Sequence, residues 1–180
     1  MSEAKASATR SYRCEPRGMI TVRADLDDAA IASAVSTAIG AGVPGMRQIV
    51  ATPSGLAVWM SPDELLVTCD YAEADAVASD LHAALADVHH LVVNVSDARA
   101  LFAIEGDHWR DVLAKGMPVD FRPTSFGDGQ VRRSRLGQVA AAIWMTDENR
   151  AELVCFRSVA DFVEDWLALA CKDGHVPEFY

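Results

Sequence analysis

Leu56-Ala57-Val58-Trp59-Met60-Ser61 returns as Ala141-Ala142-Ile143-Trp144-Met145-Thr146, with Trp144 standing 85 positions after Trp59. Each copy reads as a short apolar strand that passes through an acidic turn into a second strand and then a helix. The openings Thr21-Val22-Arg23 and Ala103-Ile104-Glu105 repeat at an offset of 82. So nearly constant an offset points to two copies of one βαβ(β)βα-type unit and hence to an α+β fold; convergence of two amphipathic hairpins is the alternative. The organisation expected is a flexible arm over 1–17, one domain over 18–172 with pseudo-repeats 18–87 and 88–172, and a tail over 173–180.

Working outward, Met19 to Arg23 reads as a strand. Asp27 or Asp28 offers an N-cap to a helix with Ile31, Val35 and Ile39 at four-residue spacing, stopped by Gly40, Gly42 and Pro44. Met46 to Ala51, Leu56 to Met60 and Leu65 to Cys69 follow as strands, punctuated by Pro53-Ser54-Gly55 and Ser61-Pro62-Asp63. A helix over 72–86 places Val77, Leu81 and Leu85 on one stripe. Leu91 to Val95 and Ala100 to Glu105 are strands, and Asp107 is the expected cap of a helix carrying Trp109, Val112 and Leu113. Gln130 to Leu136, Gln138 to Met145 and Ala151 to Phe156 complete the strands. The last helix carries Val159, Phe162, Val163, Trp166, Leu167 and Ala170 at helical spacing, with Ser158 and Asp161 in the capping-box arrangement.

Composition narrows the function. Sixteen Lys and Arg against 26 Asp and Glu leave a formal charge of −10, a surface that repels phosphate backbones and anionic membranes. Nucleic acid and membrane are therefore not expected partners. No apolar run reaches the length of a membrane span, and Met1 to Pro16 has no apolar signal core, so a cytoplasmic chain is expected. Cys14, Cys69, Cys155 and Cys171 are dispersed without a CxxC pair and read as free thiols.

No constellation designates catalysis. His89 and His90 are neighbours that a strand would point to opposite faces, with no HxH, HxxxH or CxxC in support, so a metal role is not expected. Asp97, beside Arg99 in a turn, is either a base or a residue holding its own loop. GxSxG, GxGxxG and Walker A patterns are absent, and Gly127-Asp128-Gly129 reads as a turn. Catalytic, cofactor and metal residues are accordingly expected to be none. Arg132, Arg133 and Arg135 form a local positive patch in an acidic chain, read either as a charged edge that resists aggregation or as a dock for a carboxylate-rich partner. With Phe179 and Tyr180 of the tail, they are the candidate subunit-interface residues.

Several segments, in order, resemble the gamma subunit of heterotetrameric sarcosine oxidase: Trp59-Met60-Ser61-Pro62-Asp63-Glu64-Leu65-Leu66; Asn94-Val95-Ser96-Asp97-Ala98-Arg99; Gly106 with Asp111 to Gly116 and Pro118-Val119-Asp120; Arg135-Leu136-Gly137-Gln138-Val139; and Arg157 to Phe162 followed by Trp166-Leu167. That family is similar to the aminomethyltransferase (glycine-cleavage T-protein) folate-binding fold, whose related halves agree with the repeat. The resemblance implies a non-catalytic gamma chain assembled with alpha, beta and delta chains. The complex would oxidise sarcosine to glycine with production of hydrogen peroxide, releasing formaldehyde or, with tetrahydrofolate as co-substrate, methylenetetrahydrofolate. It implies FAD, FMN and NAD on alpha and beta, zinc on delta, and none of them on this chain. The T-protein's folate-contacting acid and catalytic aspartate have no assignable counterpart here. A stand-alone folate-binding protein of the T-protein type is the alternative, and a domain for an unrelated small molecule a third.

Overall fold

The computed structural model describes residues 9–172. Its strands are β1 (Arg10–Arg13), β2 (Gly18–Arg23), β3 (Ile49–Thr52), β4 (Gly55–Ser61), β5 (Glu64–Cys69), β6 (Leu91–Asn94), β7 (Arg99–Glu105), β8 (Val131–Leu136), β9 (Val139–Asp147) and β10 (Arg150–Phe156). Its helices are α1 (Ala29–Ile39), α2 (Ala74–Ala84), α3 (Trp109–Ala114) and α4 (Ala160–Ala170), with short 3-10 turns before α2, β7 and α4.

Two compact units emerge, one of residues 15–99 with 129–131, the other of residues 9–14, 100–128 and 132–172. The first holds a sheet of order β3-β4-β5-β2-β6 and the second a sheet of order β8-β9-β10-β7-β1. The orders correspond strand for strand, and each unit runs strand, helix, three-strand meander, helix, as the 85-residue offset predicts. The fifth strand of each departs from the expectation. β6 precedes β7 in the chain yet pairs antiparallel with β2, and β1 precedes β2 yet pairs antiparallel with β7. The boundary expected between 87 and 88 therefore falls after β6. The flexible arm expected over 1–17 contains a strand at residues 10–13. Apolar alternation gives no sign of β1, because charge pairing across the sheet edge holds it and its four side chains are exposed or half-buried.

Local chemistry explains several helix ends. Asp28 accepts the N–H groups of Ala30 (2.7 Å) and Ile31 (3.1 Å), capping α1, and Gly40 closes it at φ 67° in the left-handed region open to glycine. In α2, Leu81 is fully buried with Leu85 beyond the helix end, so Leu81→Ala would cost about 2–5 kcal/mol. α3 takes His108 rather than Asp107 as its N-cap residue, and the His108 N–H is taken by Thr9 Oγ1 at 3.1 Å. The capping box expected at Ser158 and Asp161 does not form. A 3-10 turn over Arg157–Val159 leads directly into α4, and the Asp161 carboxylate goes to Arg13 at 2.7 Å.

Each unit has its own core. Ile20, Val22, Leu65, Val67 and Cys69 face Val35, Ile39 and Leu81 in the first. Phe102, Ile104, Ile143, Leu153 and Cys155 face Trp109, Leu113, Val163 and Leu167 in the second. Trp166, read from sequence as one of the apolar positions of α4, is only partly buried.

Candidate functional site

β8 is the outermost strand of its sheet, and its alternation sends Arg133 and Arg135 to the exposed side. Arg132 turns the other way. Its guanidinium donates to the Ser125 carbonyl at 2.6 Å and lies 5.4 Å from the centre of the Phe126 ring. Phe126, Phe121 and Trp109 form an edge-to-face trio with centroids 5.6–6.2 Å apart. Arg110 closes the same cluster: Nη1 donates to the carbonyls of Phe121 (2.7 Å) and Phe126 (2.8 Å), and the guanidinium sits 4.4 Å from the Trp109 ring centre. Burial pulls the Arg110 pKa down. Two arginines thus pin the 121–126 loop, and of the three predicted contact arginines only Arg133 and Arg135 present themselves outward. Phe179 and Tyr180 lie outside the described residues.

The Asn94–Arg99 segment is a brace. Ser96 is buried; its Oγ accepts the Met19 N–H (2.9 Å) and donates to Asn94 Oδ1 (2.6 Å), while Asn94 Nδ2 donates to Asp75 Oδ1 of α2 at 2.7 Å. One side-chain chain thereby ties β2, β6 and α2 together. Asp97, weighed above as a base, receives the Tyr71 hydroxyl on both carboxylate oxygens at 3.0 and 3.1 Å. That bond ties the Ser96–Ala98 turn to Tyr71 and so favours the loop-holding alternative.

His90 pairs with His82 rather than with its neighbour His89. His90 Nε2 lies 2.7 Å from His82 Nδ1, and His90 Nδ1 lies 2.9 Å from the Val88 carbonyl. The carbonyl can only accept, so His90 carries its proton on Nδ1 and receives the His82 N–H when both rings are neutral. Among the described residues no three His, Cys, Asp or Glu side chains are grouped to hold a metal.

A charge network unread in the sequence joins β1, β7 and β10. Glu105 receives Arg10 (2.9 Å), the Tyr12 hydroxyl (2.6 Å) and Arg150 (3.2 Å). Arg150 also reaches buried Glu152 at 3.4 Å, whose other oxygen accepts the Trp144 indole N–H at 3.2 Å. The Tyr12 hydrogen bond, aided by Arg10 and Arg150, holds the Glu105 carboxyl below the usual range and raises the Tyr12 phenol. The signal is hidden in the register: Arg10 stands opposite Glu105 only once β1 is known to pair with β7.

The sequence profile of the sarcosine oxidase, gamma subunit family matches residues 23–173, more than four-fifths of the chain. The chain belongs to the sarcosine oxidase gamma subunit family. Among characterised members, the sarcosine oxidase subunit gamma of Corynebacterium sp. strain P-1 is 30% identical over 143 residues, covering 78% of this chain and 70% of its own. That of Corynebacterium sp. strain U-96 is 28% identical over 148 residues, covering 81% and 71%. All segments that carried the resemblance fall inside the matched span. The family fold is seen in a chain of the heterotetrameric sarcosine oxidase of Corynebacterium sp. U-96 in complex with pyrrole 2-carboxylate, with TM-score 0.83 at 24% identity over 91% of this chain and 83% of that one. The glycine cleavage system aminomethyltransferase T of Bartonella henselae shares the fold at TM-score 0.68 and 13% identity, over 93% of this chain and 50% of that one. No described helix is long and apolar enough to cross a membrane.

Proposed function

We propose that this chain is a non-catalytic gamma subunit of a cytoplasmic heterotetrameric sarcosine oxidase, where it braces the chains that hold the redox groups. The family match over residues 23–173 carries this reading. The assembly oxidises the N–CH3 carbon of sarcosine: oxygen is reduced to hydrogen peroxide, water hydrolyses the imine, and glycine and formaldehyde leave, or tetrahydrofolate takes the carbon as methylenetetrahydrofolate. FAD, FMN, NAD and zinc reside on the alpha, beta and delta partners. The reading is supported by how this chain spends its polar side chains: Asp97, Glu105, Asn94, Ser96 and Glu152 are engaged in bonds that hold its own strands together. A permanent place in such an assembly requires an interface above about 2,000 Å². The test is to express the other three subunits with and without this chain, measuring complex mass and sarcosine-dependent peroxide. The expected outcome is loss or destabilisation of the complex in its absence; full assembly with normal turnover refutes the role. Binding of tetrahydrofolate to the isolated chain, read by calorimetry, would favour a T-protein-type folate function instead.

A further inference from the structure

β6 is an open sheet edge. It pairs with β2, Thr21 standing opposite Val93 and Arg23 opposite Leu91, and it ends the order β3-β4-β5-β2-β6. The Val95 N–H donates to the Met19 carbonyl at 2.7 Å. Antiparallel alternation then turns the main-chain groups of Leu91 and Val93 toward β2 and those of Val92 and Asn94 away from it. Among the described residues nothing meets these outward N–H and C=O groups.

The side chains leave the edge equally open. Leu91 and Val93, 49% and 40% exposed, share the sheet face of their partners Arg23 and Thr21, opposite the face on which Val92 packs against the helix-side core. The strand reads Leu-Val-Val-Asn, so no charge, proline or bulge guards it, only its four-residue length. The corresponding edge of the other unit is built differently. There β1 carries Arg10, paired with Glu105, and Arg13, paired with Asp161 and Glu164, charges of the kind that keep a foreign strand off an edge. β6 is also held still. Asn94 is tied to Asp75 of α2 and Ser96 to Met19 of β2, so an incoming strand meets an edge that needs no further ordering.

We propose that β6 is the strand by which this chain takes up an extended segment of a larger subunit, which adds one more strand to the sheet. The outward groups of Val92 and Asn94 name the occupant, because alternating N–H and C=O groups two residues apart are matched by the main chain of another strand. The segment carries apolar side chains at the alternate positions beside Leu91 and Val93, and polar ones at the intervening positions on the side of Asn94 and Asp75. The proposal rests on the subunit reading and assigns it a surface.

The test uses the co-expressed assembly with a tag on a larger subunit. Val92→Pro deletes an outward N–H and leaves the bonds to β2 in place, at the kind of edge position that tolerates proline. Val93→Lys puts a charge on the exposed face. Both should be retained at least about tenfold less than the wild-type chain. Met46→Lys, at an apolar residue 71% exposed outside the strands, is the control and should be unchanged. Because a variant can lose binding by misfolding, residue-resolved amide exchange of the wild-type chain supplies a second readout. The Val92 and Asn94 amides should exchange fast in the isolated chain and at least about tenfold more slowly in the complex. Amides that the complex does not slow overturn the proposal whatever the variants do, and so does full retention of both variants; either result leaves the subunit reading standing. Failure of the wild-type chain to be retained overturns both. Self-association of the isolated chain that Val92→Pro abolishes overturns the assignment to a larger subunit.

Discussion

Gly116→Ala is a decisive test of how the second unit is packed. A Cβ at this position would stand 2.3 Å from Trp166 Cζ2 and 3.0 Å from Cε2 and Cη2, more than 1 Å inside normal carbon contact for the nearest atom. The backbone has little room to retreat, since the Gly116 N–H is bonded to the Leu113 carbonyl at 3.1 Å and its carbonyl to the Gly137 N–H at 2.8 Å. The indole must therefore swing away, forfeiting part of its packing. Overpacking of this kind costs about 1–3 kcal/mol, a fall of about 2–12 °C in Tm for a chain of this size. The backbone restriction that alanine imposes on the unfolded state works in the opposite direction, by about 0.4–1 kcal/mol. In a Trp166→Ala background the clash is gone and only that gain remains, so the same substitution should become neutral or slightly stabilising. Urea unfolding of the four members of the cycle, with m unchanged, measures the coupling. Equal losses from Gly116→Ala in both backgrounds, or no loss in the wild type, would refute the packing argument.

Arg110→Met should destabilise by about 2–4 kcal/mol, since it leaves the Phe121 and Phe126 carbonyls without their charged donor; Arg110→Lys should rescue little, and thermal unfolding with near-UV circular dichroism of the aromatic trio checks both. Ser96→Ala removes the acceptor of the Met19 N–H and a donor to Asn94, and should cost about 1–3 kcal/mol, with amide exchange rising first in β6. Glu105 has a folded-state pKa held below its unfolded value, so its contribution is fully present above the ordinary glutamate range, about 4.3, and is lost as pH falls through the depressed folded value. The stability advantage of the wild type over Glu105→Gln should therefore be constant near neutrality and vanish in acid; urea midpoints across that range decide it, and an advantage that grows on acidification would contradict the assignment.

The charged and polar networks show where legibility in the chain ends. Asp28 is legible as a cap because its partners are two and three residues away, and Gly40 because a left-handed backbone is a local demand. Asp107, Ser158 and Asp161 look equally good by spacing, but Thr9 and Arg13 reach those helix starts from far along the chain and take over the bonds. His82 and His90 are likewise invisible as a pair until the end of α2 and the start of β6 are set side by side. Arg132 and Arg135 differ by three positions and carry the same charge, yet the pleat commits one to the Phe126 loop and the other to solvent.

By itself the sequence determined the α+β class, the duplicated unit, most strands and the ordered family segments, because each rests on patterns shorter than about twenty residues or on one repeated offset. Only the tertiary structure decided which sheet each fifth strand joins, which acids meet which arginines, and which apolar residues of α4 remain outside the core. Those outcomes depend on pairing register between segments about 70 to 150 residues apart. A shift of one residue would turn every side chain on such a strand to the opposite face.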